Sequence, residues 1–160
     1  MSTTGYPTPT TTLTVEQAEQ QVQDATRRVA DLRGRYATAV ESADGLEMWA
    51  RRQELTQAAG QLNELRAAVA IRRQLAVVQD LEARVAQAEQ AVAAARGAVE
   101  DAADTNLAAG GLELDLRRAH TVAAAQVGTL ARNVTDAQVE LQAAEQALKT
   151  LIAETARRIG

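Results

Sequence analysis

The sequence predicts an all-α protein: an elongated antiparallel coiled coil of three helices, at about residues 14–43, 46–108 and 112–159, preceded by an extended Thr/Pro-rich tail over residues 1–13. Three observations carry this expectation. Apolar residues recur at heptad spacing through three long runs, the signature of helices that pack along a seam. Both prolines, Pro7 and Pro9, fall in the tail, and glycines stand where the runs change. Alanine supplies 36 of 160 residues while phenylalanine and cysteine are absent, so bulk for a sheet-based core is missing and helix propensity is high.

The tail carries few apolar anchors, and its prolines favour extended backbone. It is expected to lie along a neighbouring subunit, with Tyr6, Pro7 and Pro9 as candidate contacts. Thr14 followed by Gln17 fits a capping box and starts the first helix. Its seam alternates Val15, Val22, Val29 and Tyr36 with Ala18, Ala25, Leu32 and Ala39, all apolar or aromatic. Ser42-Ala43-Asp44-Gly45 then supplies a stop and a fresh N-cap.

The second helix would span about 93 Å at roughly 1.5 Å per residue. Its apolar stripe begins in one register, Leu55, Ala58, Leu62, Leu65 and Val69. It continues in another, from Ile71, Gln74, Val78 and Leu81 to Ala102. Short connections make consecutive helices antiparallel neighbours. Folding back about Gly45 brings Val15 beside residue 75 or so, and folding back about Gly110-Gly111 brings Ile159 beside residue 62 or so. The shift near Val69–Ile71 is therefore expected where the long helix exchanges one partner for the other, and there it must be apolar on two faces. The alternative is a break after Gly60, giving a compact four-helix bundle. The third seam runs from Leu116 to Thr155, with His120 and Thr155 as its polar members.

Composition excludes several functions. With no cysteine and one histidine, thiolate nucleophiles, zinc fingers and multi-histidine metal sites are unavailable. The acidic trio Glu100, Asp101 and Asp104 lacks the paired Glu-x-x-His motifs of helical di-metal sites. An ion-pair patch with Arg117 and His120 across the turn is expected instead. No cofactor is expected, and no glycine-rich phosphate loop or base–orienter pair supports an enzyme. A formal charge of −4 argues against nucleic acid. Six of the arginines have an acidic residue four positions earlier (Asp24–Arg28, Asp31–Arg35, Glu47–Arg51, Asp80–Arg84, Glu113–Arg117 and Glu154–Arg158), which describes a solvated face. The doublet Arg72-Arg73 lacks such partners and is a candidate contact. So is Trp49, the one tryptophan, which either staples the turn or anchors a partner.

The chain shows neither an apolar run long enough for a membrane nor a secretory signal, so a cytoplasmic protein, or one built into a virion, is expected. The alanine-rich seams let helices approach closely but bury little apolar area, so self-association with neighbouring subunits is expected. The function that fits is a non-enzymatic structural or assembly protein, with a bacteriophage virion component as one setting. The alternative is a cytoplasmic coiled-coil adaptor or regulator presenting Trp49 and Arg72-Arg73 to a protein or nucleic acid.

Overall fold

The computed structural model describes residues 14–111 and 113–159; the tail at 1–13, with its contact candidates Tyr6, Pro7 and Pro9, lies outside the described residues. The protein is all-α, with three helices, α1 (Val15–Glu41), α2 (Gly45–Ala108) and α3 (Leu114–Ile159). The capping box forms as the sequence implies. Gln17 N–H donates to Thr14 Oγ1 at 3.2 Å, and Thr14 N–H donates to Gln17 Oε1 at 2.9 Å. Glu16, in the same first turn, has its carboxyl held below the usual range, first by its own backbone amide and then by the Thr14 hydroxyl.

The first turn differs in detail from expectation. The left-handed residue is Ala43, at φ 57°, and not a glycine; it stops α1 at Glu41, two residues early. Asp44 then caps α2, its Oδ1 accepting from the amides of Leu46 at 3.0 Å and Glu47 at 3.1 Å. Gly45 is thereby drawn into the helix as its first residue. The second turn is a Schellman closure: Gly111 N–H reaches Asn106 O at 2.8 Å and Gly110 N–H reaches Leu107 O at 3.0 Å. Gly110 and Gly111 both have positive φ, and α3 begins later than the expected 112. It starts at Leu114, after Glu113 has provided the N-cap carbonyl to Arg117 N–H.

No break follows Gly60. The long helix runs through it from Gly45 to Ala108, so the chain has three helices and not the four of a compact bundle. A helix-interior glycine costs about 1 kcal/mol relative to alanine, too little to end a helix of this length.

Among the described residues the contacts form two units, residues 14–73 with 151–159, and residues 74–150. In the first, Val29 and Leu32 of α1 pack on Ala58 and Leu62 of α2, and Glu19 meets Arg73 farther from the turn. Contacts nested about a turn in this way are those an antiparallel pair makes. Within this unit α2 also borders the last turns of α3, and its 62–72 stretch responds as expected. Seven of those eleven positions are at least partly covered, including Leu62, Leu65, Val69, Ala70 and Ile71. In the second unit, Val78 and Leu81 pack on Ala144, with Leu141 and Leu148 alongside. Gln74, the polar residue of this seam, donates from Nε2 to Ala144 O at 3.1 Å. Every seam position of α1 and α3, and every member of both α2 registers, is buried or half-buried.

Two expectations follow from the turns. Ala43→Gly removes a left-handed penalty of about 1–2 kcal/mol against a glycine entropy cost of roughly 0.5–1 kcal/mol, so it should stabilise the fold by about 0.5–1 kcal/mol in urea unfolding. Gly110→Ala should destabilise it by about 1 kcal/mol by the same reasoning reversed. At the start of α1, Glu16 has a folded pKa below its unfolded value. Its stabilising contribution is thus present above the ordinary carboxylate range and fades as pH falls through the folded value. Glu16→Gln should flatten that acid-side dependence in a pH series of thermal unfolding.

Candidate association surface

Two exposed arginines tie helices to one another and one binds a turn, while other arginines pair within a single helix. Arg73 reaches from α2 to α1, its Nη2 2.6 Å and its Nε 2.9 Å from Glu19 Oε1. Its neighbour Arg72 is half-buried and engaged within the chain. The doublet singled out as a candidate nucleic-acid contact therefore has one member in an interhelical ion pair and the other partly covered. Arg84 pairs across to Glu140 at 3.2 Å, and not with Asp80 as its spacing implies.

Of the six i,i+4 pairs expected along single helices, two form, Asp31–Arg35 at 3.0 Å and Glu47–Arg51 at 3.6 Å. Asp24 turns instead to Arg27 and Gln20. Arg51 also holds Glu54, and that hydrogen bond, ahead of the charge of Glu47, holds its guanidinium more firmly protonated than usual. An interhelical partner or a second local carboxylate offers comparable energy, since each exposed pair contributes well under 1 kcal/mol. Spacing alone does not choose between them.

The ion-pair patch expected beside the second turn is not built. Arg117 donates from Nε to Gly111 O at 2.7 Å, satisfying a carbonyl of the turn itself. Among the described residues no ion pair joins Arg117 or His120 to Glu100, Asp101 or Asp104. His120 is half-buried at its seam position. No cluster of three or more metal-ligating residues occurs among the described residues, nor any helix long and apolar enough to cross a membrane.

Trp49 does not staple the turn. It is 64% exposed, and Leu46, one helical turn before it, is 84% exposed. Three positions apart on α2, the two share a face. Leu107 and Leu114 flank the second turn and are also exposed.

Pattern reading missed one further feature, in the first unit. Between α2 and the final turns of α3 lies an open groove of about 670 Å³. Small residues of α2, Gly60, Ala67 and Ala70, give it room, and Leu151 and Thr155 of α3 face it. Glu64 and Arg66 stand on one wall, Glu154 and Arg158 on the other. Its trace in the sequence is slight: Gly60 is a helix-interior glycine, but so are Gly34, Gly97 and Gly128.

The Glu19–Arg73 pair gives a direct check. Arg73→Ala should lower stability by less than about 1 kcal/mol, and the loss should shrink at about 1 M salt, where screening is short-ranged. Urea unfolding at two salt concentrations reads this out; a salt-independent loss would assign the effect to packing of the side-chain stem. The chain matches no protein-family model, no curated protein and no solved structure, so the functional reading rests on these residues.

Proposed function

We propose that this protein is a non-enzymatic structural subunit, a helical coiled-coil component that works by associating with further copies of itself within a larger assembly. One observation carries the reading. Among the described residues, eight apolar side chains larger than alanine are buried while ten are exposed, and none reaches complete burial. Single exposed apolar residues are ordinary in a monomer, but here the exposed set outnumbers the buried one.

The seams explain the shortage. Ala18, Ala39, Ala58, Ala137 and Ala144 fill buried positions that leucine would fill in a thicker core. At ~25 cal/mol per Å² of apolar surface, an alanine contributes little. The exposed set includes Leu46 and Trp49 at the start of α2, and Val139 and Ile152 along α3. Covering such side chains against another subunit recovers the burial that one chain lacks. A virion is one assembly that would use a subunit of this kind.

Sedimentation equilibrium of the purified chain over a hundredfold concentration range tests the proposal. The expected result is a mass rising above the 17.0 kDa of one chain. Because Trp49 is the one tryptophan, its fluorescence gives a local reading of whether that patch is covered as the mass rises. A monodisperse, stably folded 17.0 kDa species at every concentration would overturn the reading.

A further inference from the structure

We propose that the groove between α2 and the C-terminal turns of α3 is the surface on which a second copy of this chain docks, in a two-fold arrangement. The inference rests on the self-association reading above and assigns it a place.

The charges around the groove argue for a second copy as the occupant. Its rim carries two carboxylates and two guanidinium groups, Glu64 with Arg66 on α2 and Glu154 with Arg158 on α3. All four are exposed, and none takes part in an ion pair within the chain. Glu154 and Arg158 stand four apart in the favoured order for pairing along one helix, yet remain apart. With one carboxylate and one guanidinium group on each wall, the surface can pair with its own copy. A two-fold axis sets each patch against its own copy, so carboxylates can meet guanidinium groups without any other partner being required.

Shape supports the same occupant. A side chain built at Gly60 would meet nothing within 4 Å of its Cβ, as at the helix-interior Gly34, Gly97 and Gly128, and of these four Gly60 is the one that lines the groove. The glycine nonetheless weakens the helix. Close approach of another backbone is a reason for keeping that position small. Ala67 and Ala70 extend the shallow floor. Ile152, next to the groove-lining Leu151, is an exposed apolar side chain of the size such a floor accepts. A projecting residue and a recess on neighbouring parts of one surface are what a two-fold pair exchanges.

The test compares the full chain with three groove variants and one control by sedimentation equilibrium, with circular dichroism confirming helicity. Gly60→Gln adds a good helix former that the chain itself can hold, so helicity should be kept or raised while association weakens at least tenfold. The pair Glu64→Arg with Glu154→Arg gives an all-basic groove, and the pair Arg66→Glu with Arg158→Glu an all-acidic one. Each should fail to associate alone, and an equimolar mixture should restore a complex of two chains. Gln126→Ala, at an exposed position of α3 in the second unit, is the control and should leave association intact. If the unaltered chain is monomeric, the structural-subunit reading falls and this proposal with it. If it associates and the Gly60 and charge-reversed variants associate equally well, the groove assignment alone is overturned.

Discussion

The structure depends on one constraint: between Leu62 and Arg72, α2 has to satisfy two neighbours at once. On one side Leu62 packs with Val29 and Leu32 of α1, and Arg73 just beyond reaches Glu19. On another, Ala67 and Ala70 look toward the last turns of α3. A helix that faces one partner needs one apolar stripe; a helix between two needs two stripes set apart around its axis. The 62–72 stretch supplies them by overlapping the end of the Leu55–Val69 register with the start of the one that begins at Ile71. The change of register is thus a packing requirement and not a fault in the heptad.

The same economy of bulk governs energetics. Alanine at seam positions favours helix intrinsically and lets helices come close, at the expense of buried area. The cores are correspondingly small. Four buried residues cluster in the first unit and three in the second. No charged or polar residue is fully buried among the described residues, although Asn106 Oδ1 is enclosed without a hydrogen-bond partner, and specificity rests on seam shape and a few directed bonds. Gln74, bonded to Ala144 O, is the clearest of these, because an amide in an apolar seam is satisfied in few registers.

Much of this was legible from residue order. The Thr14–Gln17 capping box, the glycine closure at Gly110-Gly111, the absence of a break at proline and the membership of every seam all appear in the structure. Each is set by neighbours within one turn or by a regular spacing, and local chemistry suffices to specify it. The errors were of another kind. Ala43, not Gly45, took the left-handed position, because Asp44 was needed as the cap of α2 and drew Gly45 into the helix. Arg84 chose Glu140 over Asp80, and Arg117 chose the Gly111 carbonyl over a carboxylate. Exposed pairs contribute so little individually that which carboxylate comes nearest decides among them.

The candidate surface divides along the same line. Trp49 could be singled out by its type alone, but its exposure depends on what packs around the turn. The groove beside Gly60 left only a slight trace in the sequence, one helix-interior glycine among several. It exists because α3 returns to residues 60–70 of α2 with small side chains on one wall and unpaired charges on both. The sequence by itself determined the helices, their caps and the stripes they bury, since these follow from spacing and backbone chemistry. Only the tertiary structure decided which charges are paired and which apolar side chains stay uncovered, because those outcomes depend on residues brought together from distant parts of the chain.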